Sequence, residues 1–433
     1  MTRSLRRRDF NTLFLGAAFA GATGSSLAGM RSRNKLVVRD QLFGLAEEKK
    51  DSDRINVFYE DFPGRLKAER KAVLSKDSNA AHTELLAALE VQGGAQEFDL
   101  FIADVVWIQE LAKAGWIADL SPYFSTDWVR KNFFKATAEA VIYEGKTWAV
   151  PYYVDVGLLY YRKDKVPRPP PSSYGELEQA VTNFRANNNE PAWGYLWQGG
   201  QGEALVCNVL EIIWGHQPEK GPTQRIDTPE AAEALEQMLR WVDKSNPVSV
   251  SPPGVTSAGE EDTRIGFQNK LTLFQRNWPY VWTKYNSEFR ENLEVAPLPS
   301  GPGTLGGYQL VVNANSPMWR THRDAVLKLL EYLTSPEANL SHATDFWRSP
   351  PRPTVYKNPA LPSFFTKILP MIEKARPRPA TPYYTCLSNA LQREFSNVLT
   401  EREKDLSMAL FRAQSGIDHW TRVDRPSRRC SPR

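Results

Sequence analysis

The sequence contains few of the residues on which metal-dependent and nucleophilic enzymes depend. It has 3 cysteines and 5 histidines among 433 residues, and none of them has the spacing of a zinc site. No HExxH, GxSxG or GxxxxGK[ST] motif occurs, so the patterns of zinc proteases, α/β-hydrolases and P-loop nucleotide binding are missing. We therefore expect no metal and no cofactor. Cys207, Cys386 and Cys430 allow one disulfide, whose pairing the sequence does not decide.

A basic stripe is also missing. The 54 Lys and Arg residues are nearly balanced by 50 Asp and Glu residues, and the formal net charge is +4. The arginine clusters lie at the two ends of the chain, in residues 6–8 and 422–433, and not along one internal surface. This distribution argues against nucleic acid as a partner.

The first thirty residues contain an apolar run of signal-peptide length, and no other segment is apolar enough to enter a membrane. Residues 13–20 are apolar, follow Arg7 and Arg8, and precede a region of small residues. The run is shorter than the roughly 20 residues that cross a bilayer, so a cleaved export signal over residues 1–30 is favoured over a membrane anchor. The arginine pair resembles a twin-arginine signal. Met30 stands where a lipidated cysteine would follow Gly29, so we expect an exported, soluble, periplasmic or extracellular protein without a lipid anchor.

Hydrophobic patterns predict an α/β fold. Residues 31–54 are polar and of mixed charge, which indicates a linker. Strands are expected at 55–59 and 98–103, with helices at 66–89 and from 104 to 114. Further on, helices are expected at 174–185, 203–214 and after Thr228, strands at 193–197, 271–274 and 305–313, and helices in 321–334 and 364–420. Alternating strands and helices are typical of layers around a mostly parallel sheet.

Two glycine-containing stretches suggest connections between two lobes. In residues 148–164, two aromatic and β-branched segments meet near Asp155 and Gly157, and in 305–313 Gly306 and Gly307 interrupt a strand beside Tyr308. If the chain crosses between lobes at both places, the result is a clamp with a cleft. The alternative is a local bulge or turn in which Asp155 bonds only to nearby backbone.

Several polar side chains follow the expected strands, where open α/β sheets bind ligands. They are Glu60, Asp61, Asp104 and Asp155, with Glu261 and Arg378 in later loops and Trp278 beside them. Carboxylates accept hydrogen bonds from sugar hydroxyls, and an indole packs on the C–H face of a sugar. With 13 Trp, 16 Tyr and 20 Phe the chain has ample aromatic surface. Each acid could instead be solvated, Asp104 could be a helix N-cap, and Trp278 could belong to the core.

Several stretches together have the character of one protein family. They are Asp104-Val105-Val106-Trp107, Ala114-Gly115-Trp116, residues 150–164 and 203–208, Arg276-Asn277-Trp278-Pro279-Tyr280, Leu305-Gly306-Gly307-Tyr308 and Arg376-Pro377-Arg378-Pro379. In these stretches, in family order from about residue 55 to about residue 400, the chain resembles the extracytoplasmic solute-binding proteins (family 1) of ATP-driven sugar importers. The branch that it resembles takes maltose, trehalose and related oligosaccharides.

The resemblance implies a two-lobed periplasmic-binding-protein fold of type II, with lobes joined by hinge crossings. The expected N-terminal lobe comprises residues 55–155 and 309–345, and the C-terminal lobe residues 156–308 and 346–433. By the family pattern Asp104 and Asp155 accept sugar hydroxyls, and Trp278 stacks on a ring. Gly307, beside Tyr308, offers backbone close to the ligand, and Arg378 donates to hydroxyls. Glu261 matches a contact position whose register against Glu260 is open, and the Glu60-Asp61 loop departs from the usual composition.

The expected function is that of a transport receptor and not of an enzyme. A di- or oligosaccharide would bind between the lobes of a monomer, the lobes would close by rotation, and a membrane permease would recognise the closed form. Hinge closure of periplasmic binding proteins around their ligands is the general precedent. The alternatives are an exported carbohydrate hydrolase, because paired carboxylates beside Trp also suit glycosidic cleavage, and a receptor for a non-sugar solute.

Overall fold

The structure is a computed structural model that describes residues 34–43, 49–91, 96–166, 169–188, 191–217, 225–243, 245–246 and 249–423. The expected export signal, residues 1–30, lies outside the described residues.

The described residues form strands and helices in the following chain order. The strands are β1 (Lys35–Phe43), β2 (Lys67–Ser75), β3 (Leu100–Asp104), β4 (Ile142–Tyr143), β5 (Lys146–Thr147), β6 (Val150–Val156), β7 (Leu158–Arg162), β8 (Tyr195–Leu196), β9 (Phe274–Asn277), β10 (Leu293–Ala296) and β11 (Leu305–Val312). The helices are α1 (Lys49–Glu60), α2 (Ser78–Leu89), α3 (Ile108–Lys113), α4 (Thr126–Asn132), α5 (Lys135–Ala140), α6 (Tyr174–Asn187), α7 (Glu203–His216), α8 (Pro229–Val242), α9 (Glu260–Gln268), α10 (Ser287–Glu291), α11 (Pro317–Thr321), α12 (Arg323–Leu333), α13 (Pro336–Phe346), α14 (Ser363–Glu373), α15 (Tyr384–Leu399) and α16 (Leu406–Arg422).

The larger sheet has the strand order β2-β1-β3-β11-β6. β1 runs parallel to β2 and β3, whereas β11 runs antiparallel to β3 and β6. Every residue of β3 and of β11 is buried, which fits their nearly uninterrupted apolar sequences and their central position in the sheet. The carboxyl end of β3 therefore brings Asp104 out beside β11.

The expected linker at residues 31–54 is wrong where the structure describes it. Residues 35–43 form β1, and the helix α1 begins at Lys49. The expected strand at 55–59 lies inside α1, with Ile55 and Tyr59 buried one helical turn apart. The expected helix at 66–89 divides into the edge strand β2 and the helix α2, which begins where Asp77 accepts a hydrogen bond from Ala80 N.

A second sheet has the strand order β10-β7-β9-β8 and packs with the helices of the chain's second half. The expected helix after Thr228 is present as α8, with the Thr228 side chain accepting a hydrogen bond from Ala231 N and with Pro229 in its first turn. The expected strand at 271–274 is displaced, since β9 begins at Phe274.

Two separate hydrophobic cores define two lobes, and β6 and β11 both pass from one core to the other. Tyr152 belongs to the first core and Val154 to the second, while Leu305 belongs to the second and Tyr308 to the first. The two crossings are neighbours, because Asp155 is paired with Gly306 across the antiparallel ladder. The boundary between the lobes therefore runs through this pair of strands.

A third passage lies at the end of α13, a helix that contacts both cores, since Ala343 belongs to the second core. Phe346 packs against the first core, and the next residue, Trp347, packs against the second. Trp347 ends the helix with a φ of 54°, a left-handed conformation that is costly for a bulky residue. Its indole lies 5.5 Å from the ring of Phe365, so packing in the second lobe holds the turn in place.

Two further features bear on the protein's surroundings. In the part of the chain that the structure describes, none of the helices combines the length and apolar character needed to cross a membrane. Cys386 is disulfide-bonded, and Cys207 is a free thiol buried in α7.

Candidate functional site

The two crossing strands and β3 place polar side chains on one face of the larger sheet. Tyr308 of β11 is paired with Asp104 of β3 on one side and with Tyr153 of β6 on the other. Asp155 lies two residues beyond Tyr153, opposite Gly306. Side chains of directly paired residues and of alternate residues share a face, so Asp104, Tyr308, Tyr153 and Asp155 line the same surface at the lobe boundary.

Two glycines allow this surface to form. Gly307 has a φ of 109°, and a Cβ there would lie 2.4 Å from the carbonyl oxygen of Tyr153. Gly306 has ordinary φ, but a Cβ there would lie 3.1 Å from the Trp278 indole. The missing side chains let the indole and the backbone approach each other between Asp155 and Tyr308.

Trp278 comes from the second lobe, directly after β9. Its carbonyl accepts a hydrogen bond from Tyr160 OH at 2.9 Å, which fixes the end of the strand. The guanidinium of Arg276 lies 3.9 Å from the centre of the indole, so one ring face carries a cation–π contact. Arg276 is fully buried and donates to Glu211 through Nε (2.8 Å) and Nη2 (2.6 Å). A ligand can therefore use only the other indole face or the ring edge.

Arg378 connects the two lobes at the site. Its Nη1 donates to Glu203 Oε1 at 2.6 Å in the second lobe, and its Nη2 lies 3.6 Å from Asp104 Oδ1 in the first. Nη2 also donates to the Leu305 carbonyl at 3.3 Å. Among the described residues, the buried Arg378 Nε finds no hydrogen-bond partner.

The carboxyl groups of this surface hold their protons more tightly than usual. Burial, reinforced by the nearby charge of Asp104, raises the pKa of Asp155 to about 7, and Arg348 partly opposes the shift. Burial also raises the pKa of Asp104, against the attraction of Arg378 and together with repulsion from Glu203. No described residue donates a hydrogen bond to the Asp155 carboxylate, so its acceptor capacity is open to a ligand with hydroxyl donors.

The structure resolves the register between Glu260 and Glu261. Both lie in the first turn of α9, not in a loop before a strand. Glu261 accepts from Arg264 Nε at 2.7 Å and from Tyr280 OH at 2.9 Å, so its carboxylate is engaged within the second lobe. Burial instead raises the pKa of the Glu260 carboxylate, and the Trp278 side chain lies close enough to lower this pKa slightly. Glu260 is therefore the acid beside Trp278, while the binding role expected of Glu261 stays a prediction.

The structure does not bring Glu60 and Asp61 to this surface. They follow the helix α1, which returns from the carboxyl end of β1 to the amino end of β2, and both are exposed. They therefore lie at the amino-terminal end of these parallel strands, whereas Asp104 lies at the carboxyl-terminal end. The sequence had suggested a strand directly before them, where the structure has the helix α1, and their expected role in binding stays a prediction. The connection that does follow β1, residues 44–48, lies outside the described residues.

Sequence reasoning missed three residues at the site. Tyr153 alternates with Asp155 along β6 and could have been found by strand periodicity. Glu203, the partner of Arg378, carried no signal, because its partner is 175 residues away. Arg348, which moderates the Asp155 charge, lies in the third passage and donates to the buried Asp40 of β1 at 3.1 and 3.2 Å.

Comparison with known proteins identifies the family to which this two-lobed chain belongs. The sequence profile of the family described as bacterial extracellular solute-binding protein matches residues 73–340. The chain belongs to this family. A probable ABC transporter-binding protein of Deinococcus radiodurans is 31% identical over 345 residues, which cover 73% of this chain and 79% of the relative. The expected family and the two-lobed α/β fold are thereby confirmed.

Solved structures show the same fold. The maltose-bound MalE3 of T. maritima is 30% identical, covers 88% of this chain and 99% of its own, and superposes with a TM-score of 0.77. The GacH receptor of Streptomyces glaucescens, solved without ligand and with acarbose, is 21% identical with a TM-score of 0.73, over 89% of this chain and 98% of its own. By family, the chain is therefore an extracellular solute-binding protein of the kind that serves ABC transporters.

Proposed function

We propose that the protein captures a di- or oligosaccharide of the maltose or trehalose type between its lobes and delivers it to the permease of an ABC importer. The observation that carries this proposal is the shared surface of Asp104, Asp155 and Tyr308, which faces Trp278 and Arg378 at the lobe boundary. Acceptor carboxylates, a guanidinium donor and an indole match the hydroxyls and C–H faces of a sugar. The maltose carried by the T. maritima structure supports this choice of ligand.

The two-lobe arrangement explains how binding is transmitted to the transporter. Asp104 belongs to the first lobe, whereas Trp278 and Arg378 come from the second. A ligand that contacts both lobes binds the closed form better than the open form and so shifts the population towards closure. We infer that the exported protein works as a monomer outside the cytoplasm, without a lipid anchor, and that it presents its closed form to the permease.

A thermal-shift screen tests the proposal. Purified protein would be heated with a panel of mono-, di- and trisaccharides and of linear polyols, each in excess. A ligand at 100 times its Kd stabilises the native state by about 2.7 kcal/mol, which raises the unfolding temperature measurably. We expect the largest shift with a di- or trisaccharide, and a smaller one for Trp278→Ala.

Two results would count against the proposal. Equal unfolding temperatures with every saccharide and polyol would remove sugar binding. Release of reducing sugar from an oligosaccharide, lost in Asp155→Asn, would show a hydrolase instead of a receptor.

A further inference from the structure

Helix α15 carries a polar stripe at the boundary between the lobes, beside the apolar face that packs in its own lobe. Leu387, Leu391 and Phe395 are buried in the second hydrophobic core. Thr385, Ser388 and Gln392 follow one another at three- and four-residue intervals, so they share another face of the helix. Ser388 and Gln392 are buried although polar, which requires hydrogen-bond partners for both.

The outer partners of the stripe belong to the first lobe. Asn79 Nδ2 donates to Gln392 Oε1 at 3.1 Å, and Gln392 Nε2 donates back to Asn79 Oδ1 at 3.4 Å. Thr385 Oγ1 donates to Glu110 Oε2 at 2.8 Å, and the same oxygen lies 3.0 Å from His82 Nε2. These contacts join α15 to α2 and α3 across the boundary between the lobes.

The inner part of the stripe reaches the site. Ser388 Oγ donates to Glu203 Oε2, and Tyr384 OH donates to Glu203 Oε1 at 2.5 Å. Glu203 in turn holds Arg378 beside Asp104. Gln392 Nε2 also donates to Ser388 Oγ at 2.8 Å, so the Asn79–Gln392 pair and the guanidinium at the site are parts of one hydrogen-bonded chain.

The Asn79–Gln392 contact lies far from the crossings. α2 follows β2, the edge strand, which lies three strand spacings from β11 and four from β6. At about 4.8 Å per spacing this is a lever arm of roughly 14–19 Å, so a rotation of about 10° separates the partners by roughly 2.5–3 Å. Such a rotation would break the Asn79–Gln392 pair while moving the crossing strands little.

We propose that Thr385, Ser388 and Gln392 of α15, with Asn79, His82 and Glu110, form a latch that stabilises the closed arrangement of the lobes and strengthens ligand binding without touching the ligand. Polar side chains suit this role, because they hydrogen-bond to each other when the lobes are closed and to water when the lobes are open. The effect on affinity rests on the proposed sugar-binding function, and the effect on closure does not. Removing the latch lowers the fraction of closed molecules and so weakens the apparent affinity.

A double-mutant cycle on Asn79 and Gln392 tests the latch. We expect Asn79→Ala and Gln392→Ala each to weaken the best sugar by roughly 3- to 10-fold in calorimetry and to speed its release. The double variant should lose little more than either single variant, because the two residues act as one pair. Asn389→Ala is the matched control, since Asn389 is exposed on the same helix.

Scattering provides a test that needs no ligand. Without sugar, Asn79→Ala should have a larger radius of gyration than the wild type, while Asn389→Ala should not. Asn79 is exposed at the start of α2, so its truncation spares the core of either lobe, and unchanged unfolding temperature would verify this. If no sugar binds the wild type, the proposed function is wrong, but the scattering experiment still tests whether the latch holds the lobes together. Additive affinity losses in the double-mutant cycle, or identical radii of gyration for the three proteins, would contradict the latch proposal.

Discussion

At the scale of single residues, Trp278 is the side chain whose truncation separates ligand contact from structure most clearly. We expect Trp278→Ala to weaken sugar binding by on the order of 1–3 kcal/mol, because the C–H face of the sugar loses its apolar contact with the indole ring. Calorimetric titration measures the change. Trp193→Ala is the control, since Trp193 stacks on Arg185 away from the site. Similar losses in both variants would mean that Trp278 acts only through folding.

Asp155 predicts how binding depends on pH. The ionised carboxylate accepts sugar hydroxyls, and the pKa of this group in the free protein is raised to about 7. A ligand that favours the ionised form must displace the proton below that pH. We therefore expect affinity to rise from pH 5 to about pH 7, by roughly 10-fold or more, and then to level off. In Asp155→Asn, titrated in the same buffers, the profile should be flat and the affinity lower.

The same carboxyl group predicts a stability profile of the opposite sign. Because its pKa is higher in the folded protein than in the unfolded chain, the folded form binds more protons between about pH 4 and 7. This group therefore makes the ligand-free protein less stable as pH rises through that range. Asp155→Asn should gain stability over the wild type at pH 8 but not at pH 4 in urea titrations. A constant difference between the two proteins would contradict the shift.

At the scale of secondary-structure elements, β11 depends on a backbone that only glycine tolerates. Gly307→Ala combines left-handed strain with a Cβ placed 2.4 Å from the Tyr153 carbonyl. Gly115 has a φ of 73° and nothing within 4 Å of its hypothetical Cβ, so Gly115→Ala measures the strain alone. We expect about 1–2 kcal/mol of destabilisation for Gly115→Ala and clearly more for Gly307→Ala. Denaturant unfolding compares them, and equal costs would show that β6 can move aside.

Elements were predictable from sequence where one apolar pattern had one interpretation. β3, α7 and β11 follow from long buried runs, and α8 follows from its Thr228 cap and Pro229. The elements of the first ninety residues could not be predicted from the sequence, for two reasons. β1 has a polar middle whose Asp40 is neutralised by Arg70 and Arg348 from distant segments. The apolar run 55–59 fits a strand as well as one helical turn, and periodicity does not separate them at that length.

The candidate site was predictable where its residues border recognisable crossings. Asp104, Asp155, Trp278, Tyr308 and Arg378 meet at the lobe boundary. The register between Glu260 and Glu261 was not predictable, because neighbouring acids in one helical turn differ only in the direction of their side chains, and in the structure Glu261 accepts a hydrogen bond from Arg264. Their roles in binding stay predictions.

At the scale of the whole molecule, both crossings contact one buried ion pair. A Cβ on Gly157 would lie 2.2 Å from Glu211 Oε1, and Thr304 N donates to the same oxygen at 2.8 Å. Glu211 also holds Arg276, whose side chain is fully buried. The ion pair thus supports the crossing after β6, the crossing before β11 and the indole of Trp278.

We expect Glu211→Gln to cost about 3–5 kcal/mol, because it leaves the Arg276 charge buried without its counterion. The matched control is Glu139→Gln, which breaks an exposed pair with Arg130 of similar bidentate geometry and should cost about 1 kcal/mol or less. Free energies of unfolding from urea titrations give both values. Comparable costs would mean that water reaches Arg276.

Because one carboxylate lies beside both Gly157, just after β6, and Thr304, just before β11, we expect these two connections to bend together. Fluorescent distance reporters placed at any two points on facing rims should therefore change in step as ligand is added, with one midpoint and no intermediate signal.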